Sequence, residues 1–458
     1  MKPAPMWDDR TPMILITFDG LGDRPAEELA NQTPLEAART PNLDQLTRIG
    51  VSGIHQPFGP GRATSSERSH WAMFGQTQTF PGRASLEAIG MGIEIPAERP
   101  HFHLALRPGT LNEGQLKAVG RVSADDSQDC LELFDALRVM PHELNPVLHP
   151  LRHGECVLES SALSSHEISD SDPLFGHLHP VLQPLPLDDA TNHEAATESA
   201  TLMTSWLTTA VKMLQDHPVN IARREAGKLE LIAPVTKWAS NKTELKTFEQ
   251  STGLTAAAVT SSALYRGLAE TLEMTQIHIP SDLQNVQEDF EARILAGIEL
   301  SKTHSFVHIH TKATDEAGHT KSPSLKRDVI ESLDSACSLL LELAKTTTIV
   351  ITGAHATPST GGIMHSAHPT SVILVGPHVH PDEQSICGER SHKSGDLGKI
   401  MANDILPLMS HYSHRASFKG HATGSSETIA LPDNPVALNF SETKNQNQVT
   451  QVNRTGIK

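Results

Sequence analysis

The stretch MILITFDG, residues 13–20, runs an apolar segment straight into an acid. Its β-branched and aliphatic residues have the length and composition of a buried strand. TPNLDQLTRIG at 40–50 then reads as a helix that opens after Thr-Pro and closes at Gly50. The same alternation returns later. FEARILAGIELSK (290–302) is helical in its spacing, SFVHIHTK (305–312) is a strand, and DVIESLDSACSLLLELAK (328–345) has helical apolar spacing. TTTIVITG (346–353) and SVILVG (371–376) are further strands. Strands alternating with helices imply an α/β fold, a mostly parallel sheet covered by helices on both faces.

Ligands of such sheets gather beyond the C-terminal ends of the strands. Asp19, Lys312, Asp315 and His355 fall at or just after those ends. HIHTKATDEAGH (308–319) and TGAHATPSTGGIMHSAH (352–368) add His319 and His365, so hard oxygen and imidazole donors suited to divalent metal collect in two late segments and one early one. A Ser-rich turn, ATSSERSH at 63–70, follows Asp19 at the distance of one helix-and-strand unit. One of its hydroxyls is expected among the ligands.

With 458 residues the chain is long for one core, so two domains are expected. A net charge of -17 and no basic cluster exclude a nucleic-acid or anionic-membrane surface, and no run reaches membrane length. A small molecule is the expected partner. The first twelve residues lack an apolar h-region, and Cys130, Cys156, Cys337 and Cys387 show no CxxC spacing, so reduced thiols in a cytoplasm are expected. Between about residue 77 and residue 241 the composition turns richer in Pro, His and Ser and interrupts the strand–helix alternation, which suggests an inserted second domain. After residue 420 the chain is polar and aperiodic, as a disordered tail would be.

TPLEAARTPNLDQLTRIGVSG, PGRASLEAIGMGIEI, ISDSDP, DHPVN, GLTAAAVTSSALYRGLAE and HIHTKATDEAGH occur in that order between Ile14 and Met409. Together they resemble the archaeal-type 2,3-bisphosphoglycerate-independent phosphoglycerate mutases of the alkaline phosphatase superfamily. The resemblance implies a metal-binding phosphatase-like domain in two segments, 1–77 and 242–420, around an inserted substrate-binding α/β domain, 78–241, with 421–458 as the tail. It implies interconversion of 2-phosphoglycerate and 3-phosphoglycerate through a phosphoserine. The family's Gly-Ser-Asp-Thr/Ser-x-His turn matches 65–70 and places the nucleophile at Ser66. Thr64, Ser65 and Ser69 are its neighbours in the same turn. By motif, one ion is assigned to Asp315, His319 and His365, and a second to Asp19, Ser66, His355 and one further aspartate. Mixed Asp and His donors favour Mn²⁺ or Zn²⁺.

The chain departs from the family in its ligands and its cations. Ala354 stands where the family has an aspartate, which weakens the second metal site, and His368 replaces another aspartate nearby. Several family arginines are matched by Lys237-Trp238-Ala239-Ser240, Leu116-Lys117-Ala118, Ser160 and His103. Arginines that grip an anion with two N–H groups are poorly replaced by Lys, His or Ser. Arg83, Arg121, Arg266 and Lys312 remain as expected substrate-binding groups. Among the 26 histidines, His55, His70, His101 and His304 read as surface or satisfied core residues, and Gly90 and Gly92 as turn residues. Two alternatives stand beside the mutase: hydrolysis of a different small phosphomonoester, and a metal-poor protein that only binds an anionic ligand.

Overall fold

The computed structural model describes residues 9–94, 96, 99–173, 179–418, 428–429 and 432–435. Met13–Phe18 lies inside an eight-stranded sheet, parallel to Phe306–Thr311 on one side and Thr348–Thr352 on the other. Ala256–Thr260 and Thr275–His278 extend the sheet beyond the first of these, and Thr370–Val375, Val51–His55 and Gly398–Ile400 beyond the second. Successive side chains of a strand point to opposite faces. Met13 and Leu15 therefore enter one core with Phe74, Phe248 and Leu264, while Ile14 and Ile16 enter the other with Phe290, Ile294 and Ile330. Helices cover both faces, and all six residues of the strand are buried.

Two details differ from the sequence expectation. Thr370–Val375 runs antiparallel to both of its neighbours, so the sheet is parallel except at this strand. The helical spacing over 328–345 belongs to two helices, Pro323–Ala336 and Ser338–Leu343, that meet at Cys337. Apolar spacing continues across the junction because both helices bury residues against the same core, Leu333 and Leu340 among them.

A second, four-stranded sheet is antiparallel throughout, in the order Val147–Pro150, Glu155–Glu159, His101–Arg107, Ala233–Ser240. Phe134 of helix Ser127–Val139 and Trp206 of helix His193–Gln215 pack with Phe102, Leu104 and Leu158 of this sheet. Helix Arg83–Gly90 joins the two parts. It crosses helix Ala263–Thr271 so closely that a Cβ on Gly90 would lie 1.8 Å from the Ala263 carbonyl oxygen, and one on Gly267 1.7 Å from that of Leu86. Gly92 is a turn residue with φ +70°, but Gly90 serves this crossing instead of a turn.

Most of 421–458 lies outside the described residues. Within it, Thr428–Ile429 pair with Ser417–Phe418, and Asp433 accepts hydrogen bonds from Thr255 N and Oγ1 at 2.8 and 3.0 Å. No helix among the described residues is long and apolar enough to cross a membrane. All four cysteines are free and buried.

Candidate metal and nucleophile site

Asp19 is the first residue beyond Met13–Phe18, and its backbone N–H donates to Thr311 O at 3.0 Å. Gly20 follows with φ +68°, and a Cβ there would sit 2.7 Å from Asp315 Cα and 2.6 Å from Thr357 Oγ1. The glycine thus lets the segments carrying Asp315 and Thr357 close over the strand end. Helix Ala313–His319 places Asp315 and His319 on one face, four residues apart. His355 follows Thr348–Thr352, and a bridge between Ala356 and Ser366 turns the chain back so that His365 joins it.

These residues form two adjoining donor groups. In the first, Asp315 Oδ1 is 3.3 Å from His319 Nε2 and 3.6 Å from His365 Nε2, and the three side chains bring their donor atoms within 4.8 Å of one another. His365 is aimed by its other nitrogen, which hydrogen-bonds with Thr64 O at 2.9 Å, and Thr357 Oγ1 donates to Asp315 Oδ1 at 2.6 Å. In the second, His355 Nε2 hydrogen-bonds with Ser66 Oγ at 2.9 Å and lies 3.0 Å from Asp19 Oδ1. Asp19 Oδ1 is buried yet has no hydrogen-bond partner. His355 and His365 stack with ring centroids 4.0 Å apart, which sets the two groups side by side.

An unsatisfied buried carboxylate oxygen costs stability unless a cation meets it. Here it faces the His355 imidazole nitrogen, which also hydrogen-bonds the Ser66 hydroxyl, and carboxylate and imidazole are donor types of Mn²⁺ and Zn²⁺ sites, so both groups fit divalent ions by their chemistry. The carboxylates agree with that fit, whereas, against burial, Asp19 and Asp315 raise the His355 imidazole above its ordinary value, so an ion there would displace its proton. Burial opposes ionisation of Asp19, but His355 and Lys312 outweigh it and hold the carboxyl well below its ordinary value. Asp315 is lowered likewise, against burial, by Lys312, His319 and His365. Burial and the neighbouring His355 push His365 down to about 4, so its imidazole is neutral and able to ligate.

Ser66 opens helix Ser66–Met73 and is buried, while Ser65 is the residue before the helix and lines a cleft. Ser69 is buried without a hydrogen bond from its hydroxyl, and Thr64 donates its own to Ser65 O at 3.2 Å. Of the four hydroxyls in the turn, Ser66 Oγ is the one that meets the donor groups. His70 lies beneath it, joined to Ser66 O at 2.7 Å and to Thr17 Oγ1 at 3.0 Å. Thr17 Oγ1 also hydrogen-bonds with His308 at 2.9 Å. His55 Nδ1 hydrogen-bonds with Gly353 O at 3.0 Å while its Nε2 is buried without a hydrogen bond, and both ring nitrogens of His101 are buried without one.

The expected substrate-binding cations are placed unequally. Lys312 Nζ lies 2.8 Å from Asp315 Oδ2 and 3.5 Å from Asp19 Oδ2, inside the site. Arg83 lines the cleft but is engaged by two acids, Glu87 Oε1 at 2.9 Å and Glu67 Oε2 at 3.5 Å, with its guanidinium 4.0 Å from the Trp238 ring centroid. Arg121 is exposed beyond strand Gln115–Ala118, and its charge acts on Arg107 and Lys321. Arg266 is half-buried, forms no ion pair among the described residues, and acts electrostatically on His278. Ala354 is fully buried in an apolar cluster with Leu15, Val350 and Val372. His368 is exposed and hydrogen-bonds with Ser366 Oγ at 2.8 Å.

Sequence reasoning missed two residues at the site. Tyr265 donates its hydroxyl to Asp19 Oδ2 at 2.8 Å, and its ring lies 3.6 Å from that of His310. Its apolar helical surroundings read as core, and nothing in the spacing sets it apart. Arg68 lines the cleft beside Ser65, with its guanidinium 4.9 Å from the Phe80 ring centroid and no ion pair among the described residues. An arginine two positions after the candidate nucleophile was a signal available in ATSSERSH.

Residues 11–412 match the family described as the Metalloenzyme superfamily. The chain is 32% identical over 428 residues to a 2,3-bisphosphoglycerate-independent phosphoglycerate mutase 2 of Methanocaldococcus jannaschii, covering 92% of this chain and 97% of that protein. Against a 2,3-bisphosphoglycerate-independent phosphoglycerate mutase of Ignicoccus hospitalis it is 33% identical over 416 residues, with 88% and 98% covered. Among solved structures it is similar to a Pyrococcus horikoshii protein, with TM-score 0.70, 27% identity, and 90% and 99% of the two chains covered. The cofactor-independent phosphoglycerate mutase of Thermoplasma acidophilum gives TM-score 0.55 at 27% identity, with 88% and 100% covered.

Proposed function

The chain belongs to the Metalloenzyme superfamily and, within it, to the 2,3-bisphosphoglycerate-independent phosphoglycerate mutases, and from that premise we propose that it interconverts 2-phosphoglycerate and 3-phosphoglycerate through a phosphoserine at Ser66. Dependence on divalent metal follows from that membership. The observation that carries the proposal is Ser66 Oγ, buried at the head of a helix and 2.9 Å from His355 Nε2, beside the Asp315–His319–His365 group.

Asp315, His319 and His365 would hold one ion, Mn²⁺ or Zn²⁺, and Asp19, Ser66 and His355 a second. When bound, such ions lower the pKa of a serine hydroxyl and neutralise phosphoryl oxygens. Ser66 Oγ forms the bond to phosphorus, the bond from phosphorus to the glycerate oxygen breaks, and the Ser66 proton ends on that oxygen. Glycerate then turns, and its other hydroxyl takes the group back while the proton returns to Ser66. The N–H groups at the start of Ser66–Met73 would offer partial positive charge to the transferred group. Lys312 orients Asp315 and Asp19 and offers its charge to the substrate.

Residues 78–241 act as an inserted substrate-binding domain between the segments 1–77 and 242–420, and the cleft beside Ser65 is the place where the two parts can enclose glycerate. Arg83, Arg121 and Arg266 contribute positive charge to that function, and Arg68 supplies a guanidinium that no acid of the described residues neutralises. A small phosphorylated substrate suits a cytoplasmic protein. One observation favours hydrolysis as the second reading. Arg83 is already held by Glu67 and Glu87, so glycerate is retained with fewer cations and water has more time to intercept the phosphoserine.

Intact-mass analysis after rapid quenching with 3-phosphoglycerate and Mn²⁺ tests the proposal. Wild type should carry one phosphoryl adduct on Ser66, and Ser66→Ala should lose both the adduct and turnover. Full turnover in Ser66→Ala would move the nucleophile elsewhere.

A further inference from the structure

Tyr265 sits on helix Ala263–Thr271, is buried, and donates its hydroxyl to Asp19 Oδ2 at 2.8 Å. Its ring is fixed by His310 at 3.6 Å on one side and by an edge contact with His70 at 5.2 Å. His310 is itself anchored, through Nδ1, to Ser261 Oγ at 3.1 Å. The phenol therefore has little freedom to leave the carboxylate.

The two oxygens of Asp19 are treated differently by this arrangement. Oδ2 meets Tyr265, with His310 Nε2 and Lys312 Nζ each 3.5 Å away. Oδ1 has no hydrogen bond and faces His355 Nε2. A carboxylate whose one oxygen is tied to fixed donors cannot rotate to offer both, and it presents the remaining oxygen in a single direction. We propose that Tyr265 is a positioning residue that fixes Asp19 as a one-oxygen ligand of the ion it shares with Ser66 and His355. The inference rests on the two-ion reading given above. It assigns a consequence to the loss at Ala354: with one carboxylate fewer in the group, the aim of Asp19 matters more. Groups that orient a ligand in this way change metal affinity by about 10–100-fold when removed.

Tyr265→Phe keeps the ring on His310 and removes only the hydroxyl. Metal-free wild type and variant are titrated with Mn²⁺ by calorimetry, with free Mn²⁺ counted by its paramagnetic resonance. Wild type should bind two ions. In the variant one step should keep the wild-type affinity, which also shows that the fold and the Asp315–His319–His365 group are intact, and the other should weaken about 10–100-fold. The chain has two tyrosines, so a phenolate formed on metal addition would be visible in the near-ultraviolet difference spectrum and assignable by the same variant. No such band is expected.

Two unchanged steps in Tyr265→Phe overturn the inference and leave the two-ion reading standing. Two steps weakened alike overturn it as well, since the hydroxyl would then act on the whole fold. A phenolate band that disappears in Tyr265→Phe makes Tyr265 a direct ligand and replaces the positioning role. Uptake of a single ion by wild type overturns both the inference and the two-ion reading.

Discussion

Glu389 shows how far one buried group can depart from its ordinary behaviour without belonging to the active site. Thr33 Oγ1 donates to its Oε2 at 2.7 Å, but Oε1 is buried with no partner. Burial, reinforced by Glu36 and opposed by the Thr33 hydrogen bond, pushes the carboxyl up from 4.5 to about 7. The folded state thus keeps a proton that the unfolded state releases. Stability is fully present below pH 4.5, falls between there and about 7, and is flat above, with a total loss of about 3 kcal/mol. Glu389→Gln keeps an acceptor for Thr33 and cannot ionise. Melting curves should show the variant gaining on wild type as pH rises through that window and holding a constant advantage above it. An advantage that does not vary with pH would place the titration on another residue.

Ala354 is the residue-scale counterpart at the site. It is fully buried in an apolar cluster that also holds Leu15 and Val350, so Ala354→Asp buries a carboxylate there. Leaving a buried charge uncompensated costs about 3–5 kcal/mol. In chelator the variant should melt well below wild type, and Mn²⁺ should raise its melting temperature more than it raises that of wild type, because the new carboxylate becomes a ligand. Equal Mn²⁺ responses would mean that the added carboxylate never reaches an ion.

At the scale of elements, the crossing of Arg83–Gly90 with Ala263–Thr271 ties the cleft to the metal groups, since one helix carries Arg83 and Glu87 and the other carries Tyr265. Gly267→Ala would place a methyl 1.7 Å from the Leu86 carbonyl oxygen, so one helix has to move. Overpacking of this kind costs about 1–3 kcal/mol, although alanine otherwise favours helix. The melting temperature should fall, and the weaker Mn²⁺ step should weaken further as Tyr265 shifts from Asp19. A variant as stable as wild type would show that the helices are free to separate. The crossing explains why sequence reading went only part of the way. MILITFDG was legible because a buried strand has a length and a composition of its own, and Asp315 with His319 because a helix brings positions four apart together. Gly90 and Gly267 lie far apart in sequence, and each is explained only by a partner backbone that no local pattern announces. Tyr265 looks like any other residue of a buried helical face. Arg83 was legible as a cation, but its neutralisation by Glu67 and Glu87 appears only once the helix and the turn are packed together.

At the scale of the whole molecule, the choice between isomerase and phosphatase under the proposed mechanism depends on whether glycerate stays in the cleft while the proposed phosphoserine at Ser66 persists. Both outcomes begin with the same attack, so the metal groups cannot decide between them. Retention has to come from the cleft, which is lined from one side by Ser65 and Arg68 and from the other by His166, Trp238 and Asn241. Arg83 has its guanidinium committed to two acids, whereas that of Arg68 rests on Phe80 and keeps its N–H groups for an anion. Arg68→Ala should therefore leave formation of the phosphoserine in the first turnover nearly intact but let glycerate escape before the group returns. With 3-phosphoglycerate as substrate, phosphorus NMR should show inorganic phosphate rising relative to 2-phosphoglycerate by about tenfold, the effect of losing one charge-assisted contact of about 1.5 kcal/mol. Arg68→Lys, which retains the charge but not the planar fork, should fall between the two. If the ratio of phosphate to isomer is unchanged in Arg68→Ala while both products drop together, Arg68 acts before phosphoserine forms, and retention lies with another group.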